Sequence, residues 1–520
     1  MVNKISLREK VGQLILGQAE GYMVNESFEA YMENYPLCGY RINQSNMKDI
    51  SQLKSLTAQI QQQFKKQGLE SDPILACDQE GGSLSVLDEL ITEFPGNMAL
   101  GATSNYQLAY LQGNYTGHEL FKLGLTMDFA PVADINLQIN NPVIGVRAFG
   151  DNPEKVAEFC RNFINGLNKG GVASCIKHFP GHGNTNTDSH IALPVNNSAL
   201  ALMRETELKP FSILAKTQVD SVMVSHVLYP NLTHNNLPAS LSKEIINDLL
   251  REELSYEGVV FTDDLEMQAI TNNFSIGEAI RKFILAGGDV ALINGSREAV
   301  IEAFESLMGA VDDGLISEQR IDISLNRIRN LKAKIQYYKK NASCDTKDPN
   351  ELSLKICEES VTLVKDSKKI LPLAEGTKVL LINPILISVT PADTTGGKDN
   401  KLGDYIKKYC SHVEIINISL EEESEIDSIC SKAKTADMII FCSLNCARYG
   451  WQLKLLNKLK DIKPVIDIML RDPYDASFIS DNVTVVATYS ANDNTMKNTC
   501  DLLFGKKEFK GILPVKIYKK

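Results

Sequence analysis

The sequence predicts an α/β protein: a (β/α)8 TIM-type barrel over residues 1–340, a linker at 341–352, and a smaller α/β/α sandwich domain over 353–520. Three observations predict it. Short apolar or β-branched runs alternate with longer helical patterns over the first 340 residues, the signature of a parallel α/β fold. Polar, titratable residues follow run after run, which suits a barrel whose site gathers many strand ends at one face; a doubly wound sheet would concentrate them at a single switch point. A polar break near residues 339–350 then precedes a second alternation of about 170 residues, enough for one three-layer domain.

In chain order, the barrel strands are expected at 73–77, 126–130, 172–176, 221–224, 258–262 and 289–293. Asp78 follows the first, Lys177 and His178 the third, Ser225 and His226 the fourth, and Asp263 and Asp264 the fifth. Helices are expected between them, among others at 152–169 and 243–253, and a long charged amphipathic helix closes the barrel at 320–339. The glycine pairs Gly81-Gly82, Gly170-Gly171 and Gly287-Gly288 lack the G-x-G-x-x-G spacing of a dinucleotide site. In the second domain, strands are expected at 379–382, 413–418, 438–442, 465–470 and 483–489, with intervening helices such as 453–459.

Composition excludes several classes of function. A hydrophobic content of 43% and a charged content of 23% are ordinary for a soluble globular protein. The net charge of −11, with no sustained block of Lys and Arg, argues against a nucleic-acid or acidic-membrane partner. Neither a signal-peptide core at the amino terminus nor a membrane-spanning run is present, so a cytoplasmic location is expected. The eleven cysteines are scattered, and Cys77, Cys175 and Cys442 sit inside apolar runs as small buried hydrophobes. Cys442 and Cys446 have no second pair to complete a metal or redox motif.

Three of the seven histidines fall in the loop 177–190, K-H-F-P-G-H-G-N-T-N-T-D-S-H. Three readings are open there. His178, His182, Asp188 and His190 offer ligands for zinc, although the i, i+4 helical pair is missing. The histidines can instead be satisfied by local backbone. Alternatively, Asp188 orients His190 as an acid/base, since a carboxylate two residues away can accept from one ring nitrogen and leave the other for proton transfer. The strand-end pair Asp263-Asp264 is equally open: a carboxylate there is placed to act as a nucleophile or a metal ligand, and one of the two can instead cap the following helix.

The loop 177–190, followed by F-T-D-D-L-E-M at 261–267, resembles the signature of glycoside hydrolase family 3, in its bacterial β-N-acetylglucosaminidase (NagZ-type) branch. Supporting matches are D-Q-E-G-G at 78–82, F-P-G at 94–96, N-P-V-I-G-V-R at 141–147, A-G-G-D at 286–289 and, in the tail, R-D-P-Y-D at 471–475. The resemblance implies a catalytic nucleophile at Asp263, an acid/base at His190 held by Asp188, and sugar contacts from Asp78, Arg147, Lys177 and His178. It implies a retaining exo-β-N-acetylglucosaminidase that needs no metal or cofactor. Its carbohydrate substrate would carry terminal β-linked N-acetylglucosamine, as muropeptides in peptidoglycan turnover or chito-oligosaccharides do. Phosphorolysis of the same bond and a β-glucosidase activity are the alternatives. The second domain would not be required to supply catalytic groups. Two stretches depart from the family pattern: Ser83-Leu84 stands where an arginine and a valine often follow the two glycines, and Cys38-Gly39-Tyr40-Arg41-Ile42-Asn43 replaces the usual apolar G-G-V-I-L-F.

Overall fold

The computed structural model describes residues 5–69, 71–87, 90–423 and 426–517. Its first part is a parallel barrel of eight strands: β1 (Ile15–Gln18), β2 (Gly39–Arg41), β3 (Ile74–Cys77), β4 (Met127–Asp128), β5 (Ala173–Phe179), β6 (Ser221–Val224), β7 (Val259–Thr262) and β8 (Ala291–Leu292). Neighbours pair in chain order from β1 to β7, and β8 pairs with β1. The bridge between Phe261 and Val290 joins β7 to the residue before β8 and closes the ring. Strands β3, β5, β6 and β7 are buried along their whole length, as parallel strands covered on both faces must be.

All six expected barrel strands are found, Ser221–Val224 with the expected ends and the other five with shifted ones. The run expected at 126–130 pairs only over Met127–Asp128, because Pro131 has no N–H for a ladder and the next bridge is Val132 to Lys177. The expected helix at 152–169 is Pro153–Gly170; Asn152 caps it by accepting from Lys155 N, and proline occupies its first turn. The helix expected at 243–253 forms over Glu244–Glu253 with π geometry. The long closing helix is Glu318–Lys340, capped by Ser317, and its stripe Ile321, Leu325, Ile328, Leu331 and Ile335 is buried against the barrel.

The helix Pro349–Ser360 begins inside the connector expected at 341–352, since Asp348 accepts from Asn350 N and Glu351 N and Pro349 starts the first turn. The residues before it lie on the barrel. Ser343 N donates to Lys169 O at 2.9 Å, and Asn114 Nδ2 donates to Ser343 O at 2.8 Å.

The second sheet contains β9 (Thr362–Lys365), β10 (Val379–Pro384), β11 (Val413–Ile418), β12 (Met438–Ser443), β13 (Val465–Met469) and β14 (Thr484–Ala487), in the order β9-β14-β13-β12-β10-β11. All pairings are parallel except that of β9 with β14. Two apolar layers cover its faces. One of them takes in Met98, Ala99, Ala102 and Val146 from the barrel side, so the sheet packs directly beside the turn that carries Arg147. Cys77, Cys175 and Cys442 are buried, form no disulfide and belong to the hydrophobic cores.

Candidate active site

The carboxyl ends of the barrel strands carry a chain of alternating charges. Arg41, the last residue of β2, donates from Nε to Asp78 Oδ2 at 2.8 Å, and its Nη2 lies 2.8 Å from the same oxygen. Asp78 Oδ1 accepts from Lys177 Nζ at 2.7 Å. That ammonium also lies 2.7 Å from Glu80 Oε1. Glu80 in turn accepts from Arg147 Nη2 at 2.8 Å and Nε at 2.9 Å. Glu80, Arg147 and Lys177 are almost wholly buried, so each charge depends on its neighbours.

Burial pushes the Asp78 and Glu80 carboxyls up, but the cations outweigh it: Lys177 and Arg41 hold Asp78 well below the usual carboxylate range, and Arg147 and Lys177 lower Glu80. Burial likewise works against the Lys177 ammonium, and Asp78 and Glu80 more than restore it.

Two glycines let the two-stranded hairpin Gln79–Gly81 with Leu84–Ser85, which carries Glu80, sit where it does. Gly81 and Gly82 have φ of 84° and 65°, and a Cβ on Gly82 would stand 2.8 Å from Gly96 Cα. The D-x-E-G-G and F-P-G strings are therefore two sides of one close backbone contact.

Asp134 organises the histidine loop. Its Oδ2 lies 2.6 Å from His178 Nδ1, and its Oδ1 accepts from His182 N at 2.6 Å. Both ring nitrogens of His182 are occupied, Nδ1 by Thr185 Oγ1 at 3.0 Å and Nε2 by Ser189 Oγ at 3.1 Å. Burial, with His178 nearby, lowers its pKa to about 4, so it is a neutral structural residue near pH 7. Among the described residues, no group of three or more His, Cys, Asp or Glu side chains is arranged to hold a metal ion. Of the donor atoms a zinc reading would use, both ring nitrogens of His182 and Nδ1 of His178 are taken up in these local bonds.

Asp188 Oδ1 accepts from His190 N at 2.9 Å and lies 2.8 Å from His190 Nδ1. Burial raises the Asp188 carboxyl, but the hydrogen bonds from His190 outweigh it and leave it below its ordinary value. Nδ1 is thereby engaged, and Nε2 is the ring nitrogen left for a ligand.

The aspartate pair divides its tasks. Asp264 Oδ1 accepts from Glu266 N at 3.1 Å and Asn294 N at 3.2 Å, and its carbonyl lies 2.8 Å from His226 Nε2. Burial raises its carboxyl to about 6. Asp263 Oδ1 accepts from Asp264 N at 2.9 Å. Burial opposes its charge, but His178, His226 and His190 outweigh that and lower its pKa, so Asp263 is ionised at neutral pH and remains so at lower pH than Asp264.

These groups surround a cavity of about 240 Å³. Asp78, Arg147, Lys177, His178, His190 and Asp263 all line it, and Asp188 stands behind His190. Sequence reasoning missed four contributions. Glu80 lay inside the quoted D-Q-E-G-G without an assigned role, Asp134 was given no role, and Arg41 sat in a stretch noted only as a departure. Pro391 and Ala392, which also line the cavity, come from the second domain with no local signal. Their loop is fixed to the hairpin by Thr394 N donating to Ser83 O at 2.8 Å and Ser85 N donating to Thr394 Oγ1 at 3.0 Å. The second domain thus walls the cavity even though the titratable groups come from the barrel.

Residues 6–331 match the model of the glycosyl hydrolase family 3 N-terminal domain. The chain is 32% identical over 380 residues to beta-hexosaminidase A of Pseudoalteromonas piscicida, a match covering 68% of this chain and 63% of that protein, so less than two thirds of that relative's length is spanned. It is 33% identical over 299 residues to a beta-hexosaminidase of Neisseria meningitidis serogroup C, covering 56% of this chain and 81% of that one. The solved structure of a glycoside hydrolase family 3 beta-N-acetylglucosaminidase from Paenibacillus sp. str. FPU-7 superposes with a TM-score of 0.92 at 32% identity, over 99% of this chain and 100% of that one. The barrel, the strand-end charges and these matches agree: the chain belongs to glycosyl hydrolase family 3.

Proposed function

We propose that the protein is a retaining exo-β-N-acetylglucosaminidase that releases terminal β-linked N-acetylglucosamine from muropeptides or chito-oligosaccharides. The observation that carries this reading is the Asp188–His190 pair bordering the same cavity as an ionised Asp263. The likeness to relatives described as beta-hexosaminidases and to a beta-N-acetylglucosaminidase structure supports the choice of sugar. A cavity of about 240 Å³ suits a single sugar ring at a chain end.

In the first step Asp263 attacks the anomeric carbon as the bond to the leaving oxygen breaks, and His190, as imidazolium, gives its Nε2 proton to that oxygen. In the second step neutral His190 takes a proton from water, whose oxygen displaces Asp263 from the anomeric carbon. Two inversions give net retention. Asp188, 2.8 Å from Nδ1, holds the ring in place and leaves Nε2 for the proton transfer. Asp78, Arg147, Lys177 and His178 hold the sugar through a fixed set of charges that does not have to reorganise during the reaction.

The test is a set of p-nitrophenyl glycosides together with chitobiose and a muropeptide, each assayed with and without phosphate and with and without chelator. The reading expects the β-N-acetylglucosaminide to be cleaved much faster than the β-glucoside, with neither phosphate nor chelator changing turnover. Faster cleavage of the glucoside, sugar phosphate as the product, or loss of activity with chelator would each overturn it.

A further inference from the structure

Arg41 reaches the cavity from a strand that the family pattern makes apolar at this point. No other arginine occurs between it and Arg147, so the guanidinium often found just after the two glycines is missing from the hairpin itself. The two arginines lining the cavity are engaged very differently. Arg147 is committed at all three nitrogens: Nε and Nη2 to Glu80, and Nη1 to Val143 O at 3.1 Å. Arg41 makes its bonds to Asp78 from Nε and Nη2 alone, and no partner from the described residues meets its Nη1. Its side chain remains 19% exposed at the cavity.

Asp78 has the converse property. Its Oδ2 takes both contacts from Arg41, and its Oδ1 takes Lys177, so it has one acceptor position at most left for a ligand. Recognition at this wall therefore falls to a donor.

We infer that Arg41 is a substrate-binding and specificity-determining residue of this cavity, donating from Nη1 to a ring hydroxyl of the bound sugar while its other edge fixes Asp78. The inference rests on the cavity being the site of the terminal sugar. A planar fork with two edges presents its donors to a carboxylate and a hydroxyl in fixed directions, which the freely rotating ammonium of a lysine does not.

The experiment compares the unaltered protein with Arg41→Met and Arg41→Lys on aryl β-glycosides whose sugar lacks the 3-, 4- or 6-hydroxyl in turn. The series is built on whichever parent glycoside the unaltered protein cleaves fastest. A preference for glucoside would thus sink the N-acetylglucosaminidase reading while leaving the Arg41 comparison intact. Were no glycoside cleaved, binding of the same sugars measured by calorimetry would carry the comparison. Thermal melts confirm that both variants are folded. Arg41→Met should lower kcat/KM on the parent by about 10- to 100-fold, the range for a lost hydrogen bond to a charged group. One deoxy sugar, poor for the unaltered protein, should then be as good as the parent for Arg41→Met, and Arg41→Lys should restore only part of the loss. If every deoxy sugar costs the variants as much as it costs the unaltered protein, Arg41 touches no hydroxyl and the inference fails.

Discussion

Replacing Glu80 by Gln tests whether the buried charge chain is what holds the sugar-binding groups. Glu80 is shielded from water and receives Arg147 through two bonds of 2.8 and 2.9 Å and Lys177 at 2.7 Å. Glutamine keeps the shape and removes the charge. Lys177 retains Asp78 at 2.7 Å, so the loss falls mainly on Arg147, which keeps the Val143 carbonyl and one bond to the glutamine oxygen but loses its counter-charge. Removing one partner of a buried pair costs about 3–5 kcal/mol, and the retained Asp78 contact places this case near about 3 kcal/mol. In a chain of this size that is a fall of roughly 3 °C in Tm. Glu80 titrates below its ordinary value of 4.5, so its contribution is present above that pH and is lost as pH falls through the lowered folded value. Calorimetric melts of the unaltered and Glu80→Gln proteins should therefore differ fully near pH 7 and converge in acid. The double variant Glu80→Gln/Arg147→Met, which also removes the stranded cation, should recover part of the stability. A single variant within about 1 kcal/mol of the unaltered protein at pH 7, or a double variant as unstable as the sum of the two singles, would refute the reasoning.

Further outcomes follow from the same geometry. Asp264 has a folded pKa of about 6 against an ordinary 3.8, so its stabilising effect is full below 3.8 and is lost as pH rises through about 6. Asp264→Asn, which keeps the acceptor for Glu266 N and Asn294 N, should raise Tm at pH 7.5 by the equivalent of up to about 3 kcal/mol and make no difference at pH 4; destabilisation at pH 7.5 would count against the assignment. His190→Ala should cripple glycosides with poor leaving groups far more than activated aryl glycosides, and equal losses on both would show that His190 binds sugar instead of moving protons. A chain truncated after Lys340 lacks Pro391, Ala392 and the Thr394 clasp and bares Met98, Ala99 and Val146. It should be poorly soluble or at least about tenfold weaker in kcat/KM, and full activity in the bare barrel would show that the second domain is not part of the site.

Much of the fold was legible because a barrel strand buried on both faces is written as an apolar run that ends abruptly in a charge. Val259–Thr262 before Asp263 and Ala173–Phe179 with Lys177 near its end are of this kind. β1 and β2 are too short and mixed to read this way: Gly17-Gln18 and Gly39-Tyr40-Arg41 carry no run. The half-exposed edge strand β9 was equally silent. At the site, D-x-H and the strand-end aspartate announced themselves because their partners are one or two residues away. Glu80 did not, since Arg147 lies 67 residues on and only the barrel brings them together. Pro391 and Ala392 line the same cavity as Asp78 from more than 300 residues away, a placement set by domain packing and by no local pattern.

The central claim is a covalent glycosyl-enzyme on Asp263. The most direct measurement is mass spectrometry of the protein after treatment with a slow fluorinated β-N-acetylglucosaminyl substrate, followed by peptide mapping. The account predicts one sugar added per chain, on Asp263, and no adduct with Asp263→Asn. An adduct on Asp264, or turnover with inverted configuration and no adduct at all, would contradict it.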